Sequence, residues 1–226
     1  MLWELSKRQP KKKEENIAFL KSNNIPVSES LPIIEAYDEA VLRSKEDVAK
    51  RAIALLIAAV YAECIGADMD FAESQTLQHN LKSRFEAHQF FTAKETFFLL
   101  ASSPDKHMAI QFSWQYECLN VMLWALGFID NLTFPDDICD VPKIAGIINR
   151  YETFDSFLYA SAMRDKEEIL DEADLIYRYN WACVDARINS RDIDSLNSGV
   201  VMERHRALNW LINYCNQDWD DVTTDT

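Results

Sequence analysis

The stretch VAKRAIALLIAAVYAECI, residues 48–65, carries an almost unbroken apolar run between Ala52 and Ala62. On a helical wheel of about 100° per residue these side chains point in nearly every direction, and a helix that is apolar all round is buried. Ser44-Lys45-Glu46-Asp47 resembles a capping box with Asp in the Glu position, and Gly66 is typical of the residue that ends a helix. The stretch therefore predicts a central helix that other elements surround.

Similar patterns predict helices along most of the remaining chain. Thr92-Ala93-Lys94-Glu95 is a full capping-box pattern and opens one of them. Only four glycines and six prolines occur, which favours helices over a many-turned β fold. The predicted helices cover residues 14–22, 48–65, 71–85, 92–100, 106–129, 143–151, 154–163, 165–189 and 200–214.

The predicted fold is all-α. At 226 residues the chain is slightly long for one domain and short for two, and its apolar share of 48% is ample for one core. We predict a single globular helical domain of about seven to nine helices around central apolar helices. This helical domain covers residues 44–226, and residues 1–43 form a polar lead-in with one short helix.

The composition narrows the possible partners. The formal charge is −14, from 37 acidic and 23 basic residues. Binding to nucleic acids or to anionic membranes rests on clustered Lys and Arg, so we expect neither. The basic residues between 7 and 13 are followed at once by Glu14 and Glu15, which favours a solvated segment over a phosphate-binding arm. The expected partner is an unknown protein or small molecule.

The cysteines bear on the compartment and on metals. None of the five has C-x-x-C spacing, and four of them fall inside apolar helical stretches. This usage indicates reduced thiols and a cytoplasmic protein, and it makes zinc improbable. We therefore predict no metal site and no cofactor.

Several charges fall on the apolar faces of predicted helices. Glu117 is the only charge in residues 113–129, and Arg204 lies at the centre of an apolar stripe in the last helix. A buried charge without a partner costs several kcal/mol, so both should meet an opposite charge. Asp174 and Arg178 are spaced i,i+4 on one helix and can pair.

These charges predict a buried or half-buried polar network. Its expected members are Arg51, Glu117, Asp174, Arg178, Asp185, Arg204 and His205. On one interpretation the pairs only fix how the helices pack. On the other they line a polar cleft, since perturbed carboxylates and histidines gather at active sites. The candidate catalytic residues are then Glu117, Asp185 and His205, and the candidate binding residues are Arg51, Trp114, Asp174, Arg178, Trp181 and Arg204.

No complete catalytic motif accompanies these charges. The sequence contains no H-E-x-x-H, no phosphate loop and no dinucleotide fingerprint. The acidic residues between 167 and 174 could indicate a Mg²⁺ site, but acidic residues also belong at helix starts, where they oppose the macrodipole. At the other end, Trp219 is too large and apolar to be left loose, so it should dock and order the last residues. The acidic residues of that tail face either arginines or solvent.

Several segments resemble a known family. They are residues 51–56, Trp114-x-x-Glu117 before 123–127, and residues 168–175, 181–187, 201–211 and 219–222. Together they resemble the uncharacterised bacterial family catalogued as domain of unknown function 4272. The resemblance runs from about Arg43 to the C-terminus and leaves the basic lead-in outside. Since this family has no assigned activity, the resemblance supports the choice of residues and implies no chemistry.

Two functions compete at this point. The first is an intracellular binding or interaction protein whose helices present an acidic surface to a partner. The second is a small-molecule hydrolase that uses a polar cleft around Glu117, Asp185, Arg204 and His205, in which Arg204 holds an anionic group of the substrate. The −14 charge and the lack of a complete catalytic motif favour the first.

Overall fold

A computed structural model describes residues 2–226, with side chains from Gln9 onward. Across that part of the chain every regular element is helical, which confirms the all-α class. The α-helices are α1 (Leu2–Ser22), α2 (Lys45–Gly66), α3 (Phe71–Arg84), α4 (Ala93–Leu100), α5 (Lys106–Ser113), α6 (Gln115–Ala125), α7 (Val141–Ile148), α8 (Phe154–Ala160), α9 (Lys166–Ile188) and α10 (Ser198–Leu211). A short 3-10 helix lies between α3 and α4 at Ala87–Gln89, and two more follow α10 at Tyr214–Asn216 and Trp219–Asp221.

The helix predicted at residues 106–129 is two helices, α5 and α6, that meet at Trp114. There the amide of Glu117 donates to the carbonyl of Trp114 at 3.0 Å, which is the tighter i→i+3 spacing. The second helix ends early because Gly127 takes a left-handed φ of 78° and the amide of Phe128 donates back to the carbonyl of Leu123. This split adds one helix to the predicted set.

The described residues form two compact units. The first contains residues 2–43, 134–138 and 164–226, and the second contains 44–133 and 139–163. Residues up to 43, which the sequence suggested as a lead-in, thus group with α9 and α10. No helix in the described part of the chain is long and apolar enough to span a membrane.

The second unit is built around α2, as its sequence predicts. This helix contacts α3, α4, α5, α6 and α8, and its residues from Arg51 to Ala59 are all buried. Ser44 caps it by accepting the amide of Asp47. Beside it, the ring of Phe98 stacks on Phe112 with 4.4 Å between centroids and fixes α4 against α5.

The first unit is built on α9, which packs against α10 and α1. The short helix predicted at 14–22 is the last part of a longer helix that starts at Leu2. Its end agrees with the sequence, since Asn24 has a left-handed φ of 57° and the following Ile25 is buried. The buried Leu20 joins α1 to the core of this unit.

Gly127 and Gly146 should respond oppositely to alanine. At Gly127 φ is 78° and an added Cβ would lie 2.7 Å from the carbonyl oxygen of Ala162, whereas Gly146 lies within α7 with nothing inside 4 Å. We expect Gly127→Ala to destabilise the fold by about 1–3 kcal/mol and Gly146→Ala to stabilise it by about 0.5–1 kcal/mol. Urea unfolding measures both, and equal effects would contradict the assigned backbone conformations.

Candidate functional site

In the second unit, Arg51 on α2 forms a buried ion pair with Glu95 on α4. Their side chains are 5% and 1% exposed, and Nη2 of Arg51 donates to both carboxylate oxygens, at 2.5 Å to Oε2. Glu95 also accepts the backbone amide of Thr92 at 2.9 Å and so completes the predicted capping box. The sequence marked Glu95 only as a capping residue, although its place between the buried core positions of α4 could have identified it as the partner of Arg51.

Glu117, on α6 of the same unit, is 2% exposed and accepts the backbone amide of Cys139. Because α6 is buried on every side, this carboxylate holds the loop before α7 against the core. Trp114 lies half-buried at the junction of α5 and α6. The described contact gives Glu117 a structural task, and its predicted catalytic role stays a prediction.

In the first unit, Asp174 and Arg178 pair as their spacing predicts. Nε and Nη2 of Arg178 each donate to one oxygen of Asp174 at 2.8 Å, which is a bidentate geometry. Asn16 on α1 donates to the same carboxylate at 2.9 Å, and Arg178 also donates to the carbonyl of Pro32 at 3.1 Å. These hydrogen bonds join α9 to α1 and to the segment that follows α1 in the chain.

Asp185 and Trp181 lie further along α9 and are both partly exposed. Asp185 accepts from Arg191 and, at 2.9 Å, from Nδ2 of Asn189. These contacts tie the C-terminal end of α9 to the loop that follows it. The partners of Asp185 therefore lie outside the set of residues that the sequence grouped into one network.

His205 on α10 is fully buried. Neither ring nitrogen has a hydrogen-bond partner among the described residues, and the ring of Tyr177 lies 5.9 Å away between centroids. Burial lowers the pKa of His205 to about 4, against the opposing influence of Asp225. The imidazole is thus neutral at pH 7, as a core histidine is.

Arg204, beside it in sequence, is 2% exposed and acts on a carboxyl that the sequence analysis did not single out. Burial raises the pKa of the half-buried Glu172 to about 7, while Arg204 and then Lys12 hold it down. The pKa of Tyr179 is raised mainly by burial and, to a lesser extent, by the negative charge of Glu172. The signal for Glu172 was its spacing, three residues after Ile169 and four before Ile176, which sets it on the buried face of α9.

A small cleft opens in the first unit between α1, α9 and residues 33–35. Its volume is about 10 Å³, room for about one water molecule, and its charged lining consists of Lys12, Lys13, Glu35, Asp171 and Asp174. Lys12 lies 4.0 Å from Asp171, and Asp174 is held by the contacts described above. The described part of the chain contains no group of three His, Cys, Asp or Glu residues that could hold a metal ion. The cleft is therefore a small mixed-charge depression of the surface of the first unit.

The C-terminal tail of the first unit is docked, as the size of Trp219 predicts. Trp219 is 3% exposed and packs edge-on against Trp210 at 5.5 Å. Arg206 donates to the carbonyl of Trp219 at 3.2 Å. Further along, Nδ2 of Asn209 and of Asn180 donate to the carbonyls of Thr223 and Thr224 at 2.9 and 2.8 Å. Within this fixed tail Asp218, Asp221 and Asp225 stay exposed.

The residues predicted as one network are divided between the two units. Arg51 and Glu117 belong to the second unit, while Asp174, Arg178, Asp185, Arg204 and His205 belong to the first. Apart from the Asp174–Arg178 pair, the contacts described here join these residues to partners outside the predicted set. Most of these side chains therefore secure helices or loops within their own unit.

Comparison with known proteins identifies the family. A family model described as "Domain of unknown function (DUF4272)" matches residues 12–222, which confirms the resemblance seen in the sequence. The match begins at Lys12 and not near Arg43, so most of α1 belongs to the family pattern. This part of α1 includes Asn16, which donates to Asp174. No curated protein and no solved structure matches the chain.

The Arg51–Glu95 pair should show strong coupling. Removing one partner alone, as in Arg51→Met or Glu95→Leu, leaves a buried group uncompensated and should cost about 3–5 kcal/mol of the free energy of unfolding. The double variant Arg51→Met/Glu95→Leu should recover most of that loss, since an apolar pair needs no compensation. Urea unfolding of all four proteins gives the coupling energy, and additive losses would contradict the pairing.

His205 should make the fold sensitive to acid. Its pKa is about 4 in the folded protein and 6.5 as a free side chain, so only the unfolded chain binds a proton between these values. The contribution of the neutral His205 to the free energy of unfolding is therefore fully present above pH 6.5. It falls by roughly 3 kcal/mol as the pH drops to 4.

Replacing His205 by Leu removes this contribution. Urea unfolding at a series of pH values should show a flatter profile for His205→Leu than for the natural protein. The exposed His79, replaced by Gln, is the control and should keep the original profile. Parallel profiles for the natural protein and His205→Leu would show that His205 is not the buried neutral group described.

Proposed function

This chain belongs to the family described as domain of unknown function (DUF4272), and we propose that it is a cytoplasmic bacterial protein that binds a basic partner through an acidic surface. The observation that carries the proposal is the docked tail, which presents exposed carboxylates in a fixed position. The five cysteines are free thiols, which supports the cytoplasmic part of the proposal.

The acidic excess is concentrated around this tail. Residues 164–226 contain fourteen acidic and seven basic side chains. Four of the seven basic side chains pair with neighbouring carboxylates, and these pairs are Arg164–Glu168, Arg178–Asp174, Arg191–Asp185 and Arg206–Glu203. Because these cations are already engaged, the field at the surface of α9, α10 and the tail is negative, and such a field attracts a basic partner.

The fixed conformation of the tail should increase its affinity for a partner. A flexible acidic segment must lose conformational freedom when it binds, and this loss weakens binding. Here Trp219 is buried, and the carbonyls of Thr223 and Thr224 accept hydrogen bonds from α10 and α9. Asp218, Asp221 and Asp225 are therefore positioned before any partner arrives, and we name these three side chains the acidic edge.

The test is a triple variant, Asp218→Asn/Asp221→Asn/Asp225→Asn. Exposed charge pairs contribute about 0.2–1 kcal/mol each, so removal of three should weaken binding to a basic partner about tenfold. Proteins from a bacterial lysate that the natural chain retains at low salt are identified by mass spectrometry, and their binding is then titrated with purified components. We expect affinity to fall as salt is raised.

The matched control neutralises three exposed carboxylates of the second unit, as Glu73→Gln/Glu86→Gln/Glu152→Gln. It changes the net charge by the same amount but leaves the acidic edge intact. Equal loss in both variants would mean that only the overall charge matters. Full binding by the tail variant would remove the acidic edge from the proposal.

Glu172 favours the alternative, a small-molecule hydrolase. A carboxyl with a pKa of about 7 can give and take a proton at neutral pH, and Arg204 beside it can hold an anion. In this alternative Glu172 takes the place of Glu117 or Asp185 as the base. Hydrolysis of phosphate or carboxylate esters that disappears in Glu172→Gln would favour it over the binding protein.

A further inference from the structure

The C-terminal tail, residues 217–226, is bound through its backbone by side chains of the first unit. Four side chains from three parts of the chain each donate to one carbonyl of the tail, at distances between 2.7 and 3.2 Å. The pairs are Arg43–Gln217, Arg206–Trp219, Asn209–Thr223 and Asn180–Thr224. We call the four donor side chains the tail site. Hydrogen bonds to the main chain, spread along a segment, are a common means of binding a peptide.

Trp219 is the apolar anchor of the tail. It is 3% exposed, and its ring packs edge-on against Trp210 with 5.5 Å between centroids. Two guanidinium groups of the tail site cover these rings. Arg206 lies 4.9 Å from the centroid of Trp219, and Arg43 lies 5.0 Å from that of Trp210. A buried aromatic anchor combined with hydrogen bonds to the main chain is an arrangement by which proteins recognise peptides.

The tail keeps its own shape through hydrogen bonds within it. Oε1 of Gln217 accepts the amide of Thr223 at 3.1 Å, and the carbonyl of Asp218 accepts the amide of Asp221 at 2.9 Å. These bonds join the two ends of the segment 217–223 without help from the tail site. The tail is therefore a preformed element that can enter or leave the tail site as one piece.

The hinge between α10 and the tail, residues 213–216, has an unfavourable backbone. Asn213, Cys215 and Asn216 take left-handed φ angles of 55°, 53° and 53°. Asparagine tolerates this conformation, whereas cysteine rarely adopts it and its Cβ makes it costly. Each hinge residue is half-buried or exposed, so the hinge can change shape without disturbing the core. A tail that folds back onto its own copy therefore carries a conformational cost at Cys215.

The segment that occupies the tail site identifies what this site binds. A second copy of this chain presents the same ten residues, so every contact of the tail can form between two copies as it does within one. In the exchanged form the hinge is extended, and Cys215 leaves the left-handed conformation. Exchange of an identical element is a low-cost route to dimers, and a short hinge under strain favours it. We propose that two copies of this chain exchange their tails, so that the tail site of each copy holds the tail of the other.

Two substitutions at Cys215 should shift the dimer in opposite directions. Glycine takes a φ of 53° at little cost, so Cys215→Gly favours the folded-back hinge. A dimer contains two hinges, and its dissociation constant should therefore rise roughly a hundredfold in this variant. Proline fixes φ at about −65° and excludes the folded-back hinge, so Cys215→Pro should be mostly dimeric. Sedimentation equilibrium over a wide range of protein concentrations measures both effects.

The matched control is Ser190→Gly. Ser190 is an exposed residue of the same unit with a left-handed φ of 51°, so glycine removes the same kind of backbone cost outside the hinge. This variant should leave the dissociation constant of the dimer unchanged. Three results would overturn the proposal: a natural chain that is monomeric at every concentration, a dimer that Cys215→Gly leaves unchanged, or a folded Cys215→Pro that stays monomeric.

Photo-cross-linking shows whether the tail crosses between copies. The exposed position 226 receives a benzophenone side chain, and isotopically heavy and light chains are mixed and equilibrated. Irradiated dimers should contain links from a heavy tail to α9 or α10 of a light chain, and Cys215→Gly should reduce these links as it reduces the dimer. Links within single copies alone, in a sample that sediments as a dimer, would assign the dimer to another surface and overturn the proposal. Neither experiment uses a basic partner, so the result is independent of binding at the acidic edge.

Discussion

The second unit depends on the way a buried charge is compensated. Arg51 lies on α2, whose residues from Arg51 to Ala59 are all buried. An unpaired guanidinium would be costly there, and the carboxylate of Glu95 compensates it. The same carboxylate accepts the backbone amide of Thr92 and so caps the start of α4. One carboxylate thus determines where α4 starts and where it lies on α2. The face of α4 opposite Glu95 therefore points to solvent.

The first unit uses the same principle with different groups. Asp174 receives both a bidentate arginine and an amide, so its carboxylate is satisfied from α9 and from α1. The C-terminal tail is fixed by weaker means, through amide side chains that donate to backbone carbonyls and a tryptophan that fills the core. Asp218, Asp221 and Asp225 stay exposed on a tail that these contacts hold in place.

The sequence was most informative where hydrophobic pattern and capping act locally. The central α2, the capping box at Thr92 and the docking of Trp219 could all be predicted, because each depends on residues close together in the chain. The split at Trp114 could not, since helical pattern continues across it and only the geometry of one turn changes.

The candidate site was harder to predict for the same reason. Charges on apolar faces were recognised as needing partners, and Asp174–Arg178 was found because i,i+4 spacing implies contact. The partners of Arg51 and Glu117 lie 44 and 22 residues away in the chain, so no local sequence pattern identifies them. Glu172 was missed because it stands among acidic residues at a helix start, where each has an ordinary explanation through the macrodipole.

The burial of α2 also has a consequence for the synthesis of the protein on the ribosome. This helix emerges early, yet α5 and α6, which supply much of its cover, end only at Ala125. At about 5–20 residues per second, this apolar segment waits several seconds for its packing partners. The finished fold buries this helix from Arg51 to Ala59, but the nascent chain exposes it, so the greatest need for a chaperone falls during synthesis.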